Sequence, residues 1–155
     1  MLFTSAVQAV DVTLPDLAGR DRSLSEFRGK WLLVNFWATW CPPCIAEMPE
    51  LELFHLAHKE RDAQVVGINM DDLEPPRLSE FVEEMFISYP ILLAPVDGYT
   101  PLGRVAALPT SLLISPEGEI VSRHIGSLTA GMIEQLIEQQ VGIRAGKTTE
   151  AGVVQ

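Results

Sequence analysis

The fold is decided by one stretch of the chain, residues 31–44, which reads WLLVNFWATWCPPC. Its first half, Trp31–Trp37, is an apolar run broken only by Asn35, which is typical of a strand buried on both faces of a sheet. Its second half ends in Cys41 and Cys44, the only two cysteines among the 155 residues. Two thiols at this spacing can close a small disulfide and reopen it, so the stretch predicts a redox site that follows a central strand.

The two cysteines are expected to differ because a helix begins between them. The N-terminal N–H groups and the dipole of that helix favour a negative charge, which makes Cys41 the candidate attacking thiolate. Cys44 lies one turn inside and should be more buried, which makes it the candidate resolving thiol. Pro42 and Pro43 suit the first helical positions but offer no N–H donor to the thiolate. We therefore predict a moderately stabilised thiolate and a reductant rather than a strong oxidant.

Other uses of the cysteine pair fit the sequence less well. A purely structural disulfide this short would constrain the unfolded chain little. If residues 44–59 form one helix, Cys44 and His55 stand about 16 Å apart, too far to share a zinc ion with His58. Haem attachment would need a histidine directly after the second cysteine, where the chain has Ile45. We expect no metal and no cofactor, and the lack of a separate peroxidatic cysteine argues against a peroxidase.

The remaining pattern alternates strands and helices, as in a βαβ unit with a right-handed crossover followed by a hairpin. Cys44–Lys59 has helical spacing, and Pro49 is expected to kink this helix rather than to end it. The other predicted elements are strands at 10–14, 31–37, 64–69, 89–93, 111–115 and 119–124, a strand or helical turn at 23–27, helices at 78–85 and 129–140, and one or two helical turns at 100–106.

Composition limits the partners and the location of the chain. It carries 11 Lys and Arg against 21 Asp and Glu, a net charge of -10, which disfavours binding to nucleic acid. No apolar run approaches the ~18 residues that span a bilayer. Residues 2–9 look like the end of a signal sequence or anchor, and an ordinary flexible N-terminus fits them equally well. We divide the chain into a residual signal, anchor or flexible N-terminus at 1–9, one domain at 10–142 and a flexible tail at 143–155.

Two motifs resemble the thioredoxin superfamily. The first is Val34–Cys44 with Pro49 shortly after it, and the second is Leu108–Ile120. More narrowly, Val10–Gln140 resembles the TlpA/ResA-like and cytochrome c maturation branch of bacterial extracytoplasmic thiol-disulfide oxidoreductases. The resemblance implies an α/β thioredoxin fold, in which helices flank a central mixed sheet, with an N-terminal β-hairpin and a central helix–strand insert at 71–93.

The resemblance also implies further site residues. It makes Pro109 cis, although most X–Pro bonds are trans, and presents backbone near Leu108 to a substrate beside the cysteine pair. It places an acid at Glu47, where partial burial would raise the pKa and let the carboxylate accept a proton from Cys44. Asn35 departs from ordinary thioredoxin, which has a buried aspartate there, and the departure moves acid–base work toward Glu47.

The sequence thus predicts an enzyme that reduces protein disulfides. We expect a periplasmic or extracytoplasmic location, and the sequence leaves open whether the N-terminus is a cleaved signal or a membrane anchor of the full-length form. The family implies a membrane electron donor of the thiol-reducing type, and apocytochrome c is one candidate substrate; we expect a monomer. The alternatives are a general disulfide oxidase or isomerase, and a redox-sensing or binding module. The candidate catalytic residues are Cys41, Cys44 and Glu47, and the candidate substrate contacts are Trp40, Pro42, Pro43, Leu108 and Pro109, whereas Trp37 is expected in the core.

Overall fold

The computed structural model, which describes residues 8–151, contains a five-stranded sheet, a short hairpin and three α-helices. The strands are β1 (Thr13–Pro15), β2 (Asp21–Ser23), β3 (Trp31–Trp37), β4 (Ala63–Asn69), β5 (Ile91–Leu93), β6 (Thr110–Ile114) and β7 (Ile120–Ile125). The helices are α1 (Pro42–His58), α2 (Pro75–Glu84) and α3 (Ala130–Ala151), and a 3₁₀ turn spans Leu24–Phe27. The strand order of the large sheet is β5-β4-β3-β6-β7.

The central strand β3 is covered on both faces. It pairs in parallel with β4 and antiparallel with β6, and all its residues are buried. Because side chains alternate along a strand, Leu33 and Trp37 join the core beneath α1, whereas Val34 and Phe36 join a second core closed by the N-terminal segment. The prediction of a strand buried on both faces is confirmed.

The connections give the sheet its mixed character. The crossover from β3 to β4 runs through α1 and forms the predicted βαβ unit. The insert contributes α2 and β5, and β5 extends the sheet by pairing in parallel with β4. The β6–β7 pair is the predicted hairpin, and β1–β2 is the N-terminal one. The α/β thioredoxin architecture is therefore confirmed.

Helix α1 continues through Pro49, so the alternative of two successive helices is wrong. Further along, His55 is buried, and its Nδ1 accepts a hydrogen bond of 3.1 Å from the backbone N–H of Val65 in β4. The His55 ring also meets the ring of Tyr89 edge-on. This histidine therefore anchors α1 on the sheet. Among the described residues, no group of three or more His, Cys, Asp or Glu side chains is placed to hold a metal ion.

Two predicted segments differ from the structure. Residues 100–106 are irregular rather than helical, because Thr100 bridges to Gly103, whose φ of 102° is incompatible with a right-handed helix. Helix α3 continues to Ala151, past the predicted end at Gln140. The flexibility of the tail stays a prediction.

The predicted signal, anchor or flexible segment at 1–9 lies almost entirely outside the described residues, as does the end of the predicted tail. Over residues 8–151, no helix is both long enough and apolar enough to cross a membrane.

The close packing between β4 and its neighbours predicts that Gly67→Ala destabilises the fold. A Cβ there would lie 2.9 Å from Ile91 Cδ1 and 2.9 Å from Trp37 Nε1. Overpacking of this kind costs about 1–3 kcal/mol of unfolding free energy, which urea denaturation of the oxidised protein measures. The matched control is Gly131→Ala in α3, whose added Cβ meets nothing within 4 Å and should leave stability unchanged or slightly raised. Equal stability of the two variants would contradict the packing argument.

Candidate active site

The end of β3 and the start of α1 hold the two cysteines. Cys41 is the N-cap residue of α1 and forms a disulfide with Cys44, which lies in the first turn. Pro42 and Pro43 occupy the first two helical positions, where a missing N–H leaves no intrahelical bond unmade. Cys44 is fully buried and Cys41 is 4% exposed, so their order of burial is the one predicted. A thiolate formed at Cys41 would lie at the positive end of the helix dipole.

A groove opens beside Trp40. Trp40, directly before Cys41, is 69% exposed and lines the groove together with Met70 and residues 105–108. Its volume is about 300 Å³. Trp37, by contrast, is fully buried in the core, as predicted. The structure therefore brings Trp40 and Leu108 to one surface, where a polypeptide could approach Cys41.

Pro109 follows the groove and starts the turn into β6. Its peptide bond with Leu108 is cis, as the family resemblance implied, and its side chain is buried. The carbonyl oxygen of Pro109 accepts a hydrogen bond of 2.9 Å from the N–H of Gly126. A contact between Pro109 and the cysteine pair remains a prediction.

Glu47 lies one turn deeper than Cys44 on α1 and is 2% exposed. Its Oε1 accepts a hydrogen bond of 2.6 Å from Asn35 Nδ2, and its Oε2 accepts one of 2.9 Å from the backbone N–H of Leu128. Burial raises the pKa of Glu47 to about 7, although both hydrogen bonds favour the charged form. The carboxyl group can therefore both hold and release a proton near neutral pH.

Asn35 supports this acid from the central strand. Its Nδ2 donates to Glu47 and also to Ser111 Oγ, at 3.0 Å, on the neighbouring strand β6. Ser111 faces Asn35 directly in the β3–β6 register. Ser111 was not among the predicted site residues, because its only signal in the sequence is that of a polar residue at the start of an apolar strand.

The loop after β7 completes the site and was missed altogether. Gly126 binds the Pro109 carbonyl, Ser127 Oγ donates to the carbonyl of Pro43 at 3.1 Å, and Leu128 caps Glu47. Two of these three contacts use backbone N–H groups, which every residue but proline possesses. No sequence pattern could have identified them.

The raised pKa of Glu47 predicts a stability that falls with increasing pH. In the unfolded chain Glu47 releases its proton near its ordinary pKa of 4.5, whereas in the folded protein it keeps the proton up to a pH of about 7. The unfolding free energy should therefore fall across that window by about 3 kcal/mol, and level off above it. Urea denaturation of oxidised wild type and Glu47→Gln at pH 5 and pH 8 measures this, because the difference between the two proteins isolates the Glu47 contribution.

The control is Glu50→Gln. Glu50 lies on α1, as Glu47 does, and its side chain also accepts a hydrogen bond from a backbone N–H, that of Ala130. This variant should keep the pH dependence of the wild type. If Glu47→Gln kept it as well, the assignment to Glu47 would be wrong.

Sequence comparison places the chain among known proteins. The family model described as AhpC/TSA matches residues 6–123. The thiol-disulfide oxidoreductase ResA of Halalkalibacterium halodurans is 37% identical over 141 residues, covering 88% of this chain and 77% of the relative. ResA of Geobacillus kaustophilus is 34% identical over 132 residues, covering 84% of this chain and 74% of the relative.

Comparison with solved structures points to the same kind of protein as the sequence comparison. A thiol:disulfide interchange protein of the thioredoxin family from Chlorobium tepidum superposes with a TM-score of 0.72 at 26% identity, covering 84% of this chain and 93% of the other. The chain belongs to the AhpC/TSA family and, within it, to the ResA-like thiol-disulfide oxidoreductases of thioredoxin fold.

Proposed function

We propose that this chain reduces disulfide bonds of other proteins, outside the cytoplasm, by thiol–disulfide exchange at Cys41 and Cys44. The observation that carries the proposal is the Cys41–Cys44 disulfide at the N-terminus of α1, beside the exposed Trp40. A helix N-terminus stabilises a thiolate, and a buried second cysteine within reach can resolve a mixed disulfide.

The reaction begins with the reduced form of the pair. The Cys41 thiolate attacks one sulfur of the substrate disulfide, so a mixed disulfide forms and the other substrate sulfur leaves as a thiolate. Cys44 then loses its proton and attacks the sulfur of Cys41, which expels the second substrate thiolate. The substrate gains two electrons and takes up two protons, and the Cys41–Cys44 disulfide of this structure is the oxidised product.

Glu47 is proposed to accept the proton that Cys44 must lose. The two residues are three positions apart on α1, which brings their Cβ atoms to about 5–6 Å, and both are buried. With a pKa of about 7, the carboxylate is available as a base near neutral pH. Asn35 and Leu128 hold it in place by hydrogen bonds.

The substrate contacts are proposed to be Trp40, Pro42, Pro43, Leu108 and Pro109. Pro42 and Pro43 are exposed and directly follow Cys41, and Trp40 and Leu108 line the groove. These side chains carry no charge and few hydrogen-bonding groups. Such a surface suits a polypeptide segment better than a small charged molecule.

The proposed direction is reduction, since no cation lies between the two cysteines to stabilise the reduced pair further. The names of the ResA relatives say only that they are thiol-disulfide oxidoreductases. We propose a thiol-reducing membrane protein as the electron donor and apocytochrome c as one substrate, in an extracytoplasmic compartment where protein disulfides persist.

A trapping experiment tests the mechanism. Cys44→Ser should accumulate covalent complexes with proteins carrying disulfides, because the mixed disulfide forms and cannot be resolved. The complexes are visible on non-reducing gels and disappear with a reductant. Cys41→Ser, the matched control, should trap nothing. A Cys44→Ser protein that traps no partner, or traps the same partners as Cys41→Ser, would contradict the assigned roles.

The reduction potential tests the direction. Equilibration with glutathione or dithiothreitol buffers should give a value nearer the about -270 mV of thioredoxin than the about -120 mV of a strong oxidant. A value at the oxidising end would favour a general oxidase or isomerase. If a strain that carries Cys41→Ser behaved like one that carries the wild-type protein, a binding module with a structural disulfide would be favoured instead.

A further inference from the structure

The turn that leads from β3 to Cys41 is held by a carboxylate from another loop, that of Asp71. Residues 38–40 connect the end of β3 to Cys41, and the backbone N–H of Thr39 donates a hydrogen bond of 2.8 Å to Asp71 Oδ2. Asp71 lies 32 positions later in the chain, in the loop after β4. The turn is therefore attached to a neighbouring loop by a side chain.

Asp71 is itself fixed to the sheet. Its Oδ2 also accepts a hydrogen bond of 2.9 Å from Asn69 Nδ2, and its backbone N–H donates to Asn69 Oδ1 at 2.9 Å. Asn69 is buried and ends β4, where it pairs with Trp37 at the end of β3. The carboxylate thus has a defined position at the carboxyl end of two adjacent parallel strands.

This arrangement connects two sides of the groove. Thr39 directly precedes Trp40, and Asp71 directly follows Met70, so one hydrogen bond joins the segments that carry two groove-lining residues. We propose that Asp71 is a positioning residue for the exchange reaction, which fixes the turn at Thr39 and so holds Trp40 where a substrate polypeptide lies against it beside Cys41. This inference rests on the proposed function.

The consequence should depend on the size of the substrate. A hydrogen bond to an ionised acceptor is stronger than one between neutral groups, so its loss would free the turn and the exposed Trp40. A polypeptide that fills the groove needs Trp40 in place, because binding geometry contributes to its rate. A small disulfide needs access to Cys41 alone.

The test compares two substrates of fully reduced protein. Asp71→Ala should lower, by about tenfold, the second-order rate constant for reduction of a peptide disulfide that is long enough to occupy the groove. Its rate with the small aromatic disulfide dithionitrobenzoate should change by less than about twofold. Asp71→Asn keeps an oxygen acceptor for Thr39 and should recover most of the peptide rate. The unfolding free energy of each variant, measured in parallel, identifies any loss of fold.

Asp72→Ala is the matched control. It removes the same charge from the next position, and within residues 8–151 the exposed Asp72 side chain makes no hydrogen bond or ion pair. Its rates should equal those of wild type.

The proposal is overturned if Asp71→Ala slows both substrates equally, if it slows neither, or if Asp71→Asn is as slow as Asp71→Ala. A wild-type protein that reduces no peptide disulfide would refute the proposed function instead, so the two failures are distinguishable.

Discussion

Burial of β3 on both faces is the constraint from which the rest of this structure follows. A strand enclosed by α1 on one side and by the N-terminal segment on the other cannot shift its register without exposing apolar side chains. Its last residue, Trp37, is fully buried, so the chain leaves the sheet at one fixed point. Both cysteines follow shortly after that point, Cys41 at the N-cap and Cys44 in the first turn of α1. The rigidly packed strand thus fixes the position of Cys41.

The electrostatics of the site depend on a neutral residue in that strand. Asn35 can donate to Glu47 and to Ser111 at once, which an ionised aspartate could not do. A second carboxylate at this position would also compete with Glu47 for ionisation. With an amide there, one acid titrates alone, and its pKa is set by burial against two hydrogen bonds. The amide of Asn35 therefore helps to set the environment in which Glu47 takes up and releases a proton.

Much of this could be predicted because the evidence was local. The apolar runs at β3 and β4, the two prolines that open α1 and the turn between β6 and β7 act through their own neighbours in the chain. The irregular segment at 100–106 was mispredicted because the positive φ of Gly103, which no local pattern announces, is incompatible with a right-handed helix. Asp71, Ser127 and Leu128 escaped notice because their partners are distant in sequence. Glu47 could be singled out only through the family resemblance, since an acid on a helix is ordinarily solvated.

The hydrogen bond from Leu128 to Glu47 joins residues 81 positions apart. The cysteines, the helix start and the acid are all made early during synthesis, but the group that caps the acid emerges only after β7. A nascent chain folded as far as β4 would carry both thiols with an acid still open to water, and so with an ordinary affinity for protons. The proton acceptor proposed for Cys44 therefore reaches its buried, doubly hydrogen-bonded state only when the fold is complete.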